Sequence, residues 1–134
     1  MRSTSYPAAF ISSATAYIDQ TSIKDTVQSA VGKGIDLAGA NLSLGDFVGA
    51  NLQKGRFQGA NFAGSNLFQA NLSGADLRGA ILSKSILLNA NFRNADLAFA
   101  DLTDTRIEGV SFKQANLRGA VMTAKKRRDS VEHV

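Results

Sequence analysis

Large apolar residues recur at every fifth position between residues 35 and 124, without a single insertion. Units such as ANLSL, ANLQK and ANFAG carry Leu or Phe at the centre, and most units place Ala two positions earlier. The 18 centres are Leu37, Leu42, Phe47, Leu52, Phe57, Phe62, Leu67, Leu72, Leu77, Leu82, Leu87, Phe92, Leu97, Leu102, Ile107, Phe112, Leu117 and Met122. A repeat this strict predicts a solenoid, in which each turn of the chain buries its apolar side chains against its neighbours.

A period of five fits neither an α-helix nor a flat strand, so the chain must turn a corner in every unit. Within a unit, the centre and the small residue two places earlier point inward, and the residue between them points outward, as on a strand. The last two residues form the corner, where Gly tolerates backbone angles that other residues resist. Four corners close a square coil of 20 residues, and coils stack at a spacing of about 4.8 Å. The 18 units therefore predict about four and a half coils.

The units at residues 70–74 and 75–79, ANLSG and ADLRG, follow the consensus A(N/D)LxG. In unbroken tandem, this pattern resembles the pentapeptide repeat family, and the resemblance covers about two thirds of the chain. It implies an all-β fold, a right-handed quadrilateral parallel β-helix. It also favours a bacterial source, since cyanobacteria are rich in such chains. It implies no single function, because the family hosts several.

The sequence divides into a leader and helical cap at 1–34, the repeat at 35–124 and a basic tail at 125–134. Apolar residues at helical spacing within 8–19 and 23–31 predict one or two short helices, which would cover the apolar end of the first coil. An alternative is that residues 1–16 are a fragment of a targeting sequence. No apolar run approaches the roughly 18 residues of a transmembrane helix. We therefore expect a cytoplasmic protein, or a periplasmic or thylakoid-lumen protein if a signal has been removed.

One outward row of the predicted coil is apolar where the other rows carry Ser, Gln, Arg or Ala. Its members are Val48, Phe68 and Leu88, with Ile86 two places before Leu88. A contiguous apolar stripe on a rod predicts a contact surface for a protein partner or for a second copy. Two alternatives remain: the side chains only cover the corners, or the N-terminal helices pack there.

The basic tail offers a second contact region, from Lys125 to Arg128. These four cations could contact anionic lipid or nucleic acid, or they could simply solubilise the chain end. The tail is short for a helical cap, so the last coil is expected to be open. An open coil end exposes strand edges that favour end-to-end association.

Catalytic chemistry is nearly absent from the sequence. There is no Cys, and the single His, His133, lies in the tail, so no His and Cys cluster for a transition metal and no His beside a Ser nucleophile can be assembled. Gly32-Lys33-Gly34 does not extend to a GxGxxG motif, and Asp101 and Asp104 belong to the repeat pattern. We therefore predict a non-enzyme with no cofactor, no metal and no small-molecule substrate.

The leading hypothesis is a structural or protein-interaction module, regulatory or scaffolding, that presents a rigid face to a protein partner. The resemblance supplies an alternative, because some pentapeptide repeat proteins mimic DNA and bind DNA gyrase. A DNA mimic requires a strongly acidic surface. The repeat here carries eight basic and seven acidic residues, and it is short, so the charge balance argues against that role.

Overall fold

The computed structural model describes residues 34–124, which coil around one axis with four flat sides. Each five-residue unit forms one side, and residues 20 apart lie above one another. We number the sides by their centres: face one begins at Leu37, face two at Leu42, face three at Phe47 and face four at Leu52. The helices predicted near the N-terminus and the basic tail lie outside the described residues and remain predictions.

Parallel pairing between successive turns holds the coil together. Two strands, β1 (Asp101–Thr105) and β2 (Val121–Ala124), pair in parallel on face two. Elsewhere the turns are joined by isolated parallel bridges between residues 20 apart, such as Asn51↔Asn71 and Asn71↔Asn91. Most sides reach only a single bridge because the chain must turn again after about three extended residues.

The corners repeat one hydrogen-bonded turn. The Ala75 N–H donates to the Leu72 carbonyl at 3.0 Å, and Gly74, at the third position of that turn, has a φ of 68°. A positive φ at the third position is the requirement of a type II turn and favours Gly. Non-glycine corner residues adopt the same conformation, for example Lys54 with a φ of 58°. The predicted corner position is therefore confirmed.

The Asn or Asp before the centre has a defined role in the fold. In all twelve units that carry one, its Oδ1 accepts a hydrogen bond from the backbone N–H two residues ahead, as between Asn71 and Ser73 at 3.0 Å. A short side chain ending in an acceptor is required for this Asx arrangement. It gives a hydrogen-bond partner to the N–H at the start of the corner.

The inward rows form one continuous core. The fourteen centres from Leu37 to Leu102 are at most 2% exposed, and the Ala residues beside them are equally buried. Phe62 makes edge-to-face contacts with Phe47 and Phe57, with ring centroids 5.6 and 5.3 Å apart. The core is incomplete at its C-terminal end, where Ile107, Phe112, Leu117 and Met122 pack against it but are only partly buried. The predicted inward and outward assignment therefore holds along the described repeat.

Candidate protein-interaction surface

Face three carries the apolar stripe predicted from the sequence, defined by Val48, Phe68, Ile86 and Leu88. The Gly49 N–H donates to the Phe68 carbonyl at 2.8 Å, and the Gln69 N–H donates to the Leu88 carbonyl at 2.9 Å. These bonds place Val48, Phe68 and Leu88 in register on three successive turns. Ile86 joins them from the neighbouring outward row, where it bridges to Asn66 and Arg106. The structure thus brings all four residues onto one side of the coil.

The side chains of the stripe are half-buried rather than fully exposed. Polar residues at the equivalent outward position of other units, such as Ser43 and Ser73, are half-buried as well, which the sequence pattern did not reveal. The most exposed large apolar residues lie at corners instead: Leu44 is 79% exposed and Phe99 is 64% exposed. Leu44 is at the corner that leads into face three and therefore widens the apolar surface there.

Polar groups bound the stripe toward the C-terminal end. Glu108 follows Leu88 in the same row, and its Oε1 lies 3.9 Å from the Arg106 Nε. Two shallow grooves flank this ion pair, one of about 430 Å³ beside Ile86 and one of about 400 Å³ beside Leu88. Arg106 lines both grooves. Face three therefore combines an apolar stripe with one cation and one carboxylate at its end, a mixture that suits a peptide or protein surface.

Face three also differs from the other sides on its inward row. Ser65, Ser85 and Thr105 occupy the small-residue position there and are fully buried. The Ser85 hydroxyl donates to the Leu82 carbonyl at 2.6 Å, and the Thr105 hydroxyl donates to the Leu102 carbonyl at 3.0 Å. The Ser65 hydroxyl has no hydrogen-bond partner among residues 34–124. The hydroxyls of Ser85 and Thr105 therefore stabilise corners. All three hydroxyls are enclosed behind the stripe and offer nothing to a ligand outside.

Face one provides the contrast of a solvated, charged side. Arg78 donates to both carboxylate oxygens of Asp76 at 2.8 and 2.7 Å, and its Nε lies 4.0 Å from the Asp96 carboxylate. The hydrogen bonds from Arg78 lower the pKa of Asp76 below its usual range. Arg56 and Asp36 make a weaker pair at 3.9 Å. Exposed pairs of this kind contribute little to stability and point to no ligand.

One corner residue that the repeat pattern alone does not single out, Phe99, makes a contact between two turns. It lies at a corner where Gly39, Gly59, Gly79 and Gly119 occupy the equivalent positions. Its ring lies over Gly119, where an added Cβ would approach to 2.5 Å, and the Arg118 guanidinium lies 6.0 Å from the ring centroid. The signal was a single non-glycine residue in a column of glycines. The contact with Gly119 gives Phe99 a packing role between two turns.

The described residues contain no group of three or more His, Cys, Asp or Glu side chains that could hold a metal ion. Within residues 34–124 no helix is long and apolar enough to cross a membrane. Face three presents an apolar stripe on one side of a four-sided parallel β solenoid.

Comparison with known proteins identifies this class. The family model described as pentapeptide repeats matches residues 33–67, 46–83, 70–109 and 85–123, in eight copies. The chain belongs to the pentapeptide repeat family, and its fold is the right-handed quadrilateral β-helix of that family. No curated protein sequence matches the chain.

Solved structures of cyanobacterial proteins resemble it. The pentapeptide repeat protein Rfr23 from Cyanothece 51142 is 31% identical with a TM-score of 0.65, over 67% of this chain and 61% of that chain. HetL, involved in heterocyst differentiation regulation in Nostoc sp. strain PCC 7120, is 28% identical with a TM-score of 0.58, over 65% and 53%. The matched part thus spans less than two thirds of either relative.

Proposed function

We propose that the chain is a non-enzymatic interaction module that presents face three to a partner protein. The observation that carries the proposal is the apolar stripe: Val48, Phe68 and Leu88 lie in register on three successive turns, with Ile86 beside them. The other outward rows of the described coil are mostly polar, so face three differs from the other three sides in carrying an apolar stripe. The relative HetL is named for a role in regulation, which favours a regulatory rather than a purely structural role.

The coil provides a rigid support for such a surface. The carbonyls of Phe68, Ile86 and Leu88 each accept a backbone hydrogen bond from the turn before, and the centres behind the stripe are buried. A preorganised surface avoids part of the ordering cost that a flexible segment would incur on binding. Half-buried apolar side chains also suit the centre of an interface, which is well packed and excludes water.

The test compares capture of partners from a cyanobacterial lysate by the native chain and by a Phe68→Glu, Leu88→Glu variant. Two buried carboxylates at the centre of an interface would be unpaired, so binding should be lost. The matched control is Ala63→Glu, Ser83→Glu, which places the same charges in the same two turns on face two. Circular dichroism first establishes that both variants fold.

A protein captured by the native chain and by the face-two control, but lost with the face-three variant, would support the proposal. Equal capture by all three chains would remove face three as the binding surface. Loss with both variants would indicate a response to added charge rather than to the stripe.

The gyrase-binding alternative gains no support from the described residues. Residues 34–124 hold eight basic and seven acidic side chains, and basic and acidic groups alternate on face one. A surface of this kind does not reproduce the uniform negative charge of a DNA duplex. A DNA supercoiling assay with added protein checks this point, and we expect no inhibition of gyrase.

A further inference from the structure

The C-terminal end of the coil exposes its interior. In residues 105–124, the last turn, seven inward apolar side chains are only partly buried, although the same positions one turn earlier are almost fully buried. They are Ile107, Val110, Phe112, Ala115, Leu117, Ala120 and Met122. This end is an apolar surface that the described part of the chain leaves uncovered.

The backbone at this end forms an open strand edge. In earlier turns the N–H of each centre donates to the following turn, as from Phe92 to the Ser111 carbonyl at 2.8 Å and from Leu97 to the Asn116 carbonyl at 2.7 Å. The N–H groups of Ile107, Phe112 and Leu117 have no such acceptor among the described residues. These donors lie on three successive sides of the coil, so each side is a template for only a short stretch of added strand.

Within the described coil, positive charge is concentrated in the last turn. Residues 105–124 carry three basic side chains and one acidic side chain, whereas residues 34–104 carry five basic and six acidic side chains. In the last turn Arg106, Lys113 and Arg118 are exposed and surround the apolar surface, with Glu108 as the single carboxylate. The open end is therefore a cationic rim around an apolar centre.

These three features together indicate which kind of molecule binds at the open end. A second copy would bring an identical cationic rim against the first, so like charges would oppose the contact. Residues 125–134 would place Lys125, Arg127 and Glu132 at positions that continue the inward row, which opposes a further turn of coil. An acidic segment with alternating apolar residues satisfies all three features.

We propose that the open C-terminal end binds an acidic segment of a partner protein, which adds a short strand to face four, bends at the corner and adds a second short strand to face one. Carbonyl groups of the segment would accept from the free N–H groups of the last turn. Its apolar side chains would cover Phe112, Leu117 and Met122, and its carboxylates would face Lys113 and Arg118. This surface lies on the end of the coil and is separate from the stripe on face three.

The test is an NMR titration of the full chain with a synthetic peptide of alternating Glu and Val. We expect shifts centred on the amides of Phe112 and Leu117, and weaker binding as salt is raised. Two control peptides separate the contributions. Replacing Glu by Lys should abolish binding, and N-methylation of the peptide backbone should do so by blocking the approach of the strand.

Reversing the charge of two rim residues tests whether the peptide binds at the C-terminal end. The variant Lys113→Glu, Arg118→Glu should weaken binding of the acidic peptide by about tenfold, because both residues lie on the rim. The matched control is Lys54→Glu, Arg93→Glu, which removes the same net charge from earlier turns. It should leave the affinity within about twofold of the native value.

Four results would overturn the proposal. Two concern specificity: equal binding of the Lys peptide, or equal weakening by the two double variants. The third is concentration-dependent dimerisation through this end, detected by sedimentation and altered by the rim variant, which would assign the surface to a second copy. The fourth is protection of the Phe112 and Leu117 amides in the free monomer together with no peptide binding, which would assign it to residues 125–134.

Discussion

The two ends of the coil are built from the same repeat but differ in how their interiors meet solvent. In the first turn, Leu37, Leu42 and Phe47 are fully buried. At the equivalent inward positions of the last turn, Leu117, Met122 and Ile107 are partly exposed. The repeat therefore determines which residues point inward, but it does not determine whether an end is closed. That difference makes the C-terminal end, rather than the coil as a whole, the place where binding can complete the fold.

The largest expected contrast is between two stacked rings on face four, Phe92 and Phe112, whose centroids are 5.5 Å apart. Phe92→Ala should lower the free energy of unfolding by about 3–5 kcal/mol, because it leaves a cavity in a closed core. Phe112→Ala should cost less than about half of that, because its ring is partly in solvent and the site can relax. Chemical denaturation measures both. Equal costs would mean that the last turn is as closed as the interior.

A second contrast uses enlargement instead of truncation. Ala70→Leu should lower the free energy of unfolding by about 1–3 kcal/mol, because the inward row has no room for a larger side chain. Ala115→Leu should cost clearly less, since its side chain can extend toward the open end. Ser73→Leu, on the outward row, serves as the control for the substitution itself. A cost at Ser73 similar to that at Ala70 would contradict the inward and outward assignment.

The third prediction concerns the N-terminal end of the coil, where a helix is predicted from Ile23 to Val31. If that helix covers the first turn, Ile23→Asp together with Val27→Asp should destabilise the chain by about 1–3 kcal/mol. The conservative pair Ile23→Val, Val27→Ile should have little effect. Thermal unfolding followed by circular dichroism compares them. An unchanged melting temperature in the Asp variant would show that this helix does not cover the first turn.

The smallest expected effect concerns the ion pair on face one. Because hydrogen bonds from Arg78 lower the pKa of Asp76 in the folded state, the carboxylate form stabilises the fold above the usual pKa of 3.8. That contribution is lost as the pH falls through the lowered value. Since the Asp76 side chain is 27% exposed and that of Arg78 is 55% exposed, it should not exceed about 0.5 kcal/mol. Arg78→Gln should raise the pKa of Asp76 in an NMR titration, and an unchanged pKa would show that the pair does not persist in solution.

The regular part of the fold was predictable from the sequence, and the reason is the period itself. A centre at every fifth position allows only one assignment of inward residues, so the buried core from Leu37 to Leu102 followed directly. The position of glycine at the corners followed from its tolerance of positive φ. The role of the Asn or Asp before each centre did not follow, because composition does not show which backbone group a side chain contacts.

The candidate surface was predictable only in part. The column of Val48, Phe68 and Leu88 followed from the 20-residue turn. Their half-burial did not, since it depends on how side chains in adjacent turns lie against one another. The contact of Phe99 with Gly119 was missed for the same reason. The state of each end depends on residues outside the repeat, which the period does not describe.

Hydrogen exchange of the free, monomeric 134-residue chain tests the difference between the two ends most directly. The amides of Leu72 and Phe92, which donate to a following turn, should be strongly protected. Those of Phe112 and Leu117 should exchange close to the rate of an unstructured chain, because no following turn accepts from them. Protection of Phe112 and Leu117 equal to that of Phe92 would contradict the account, since the C-terminal end would then be closed.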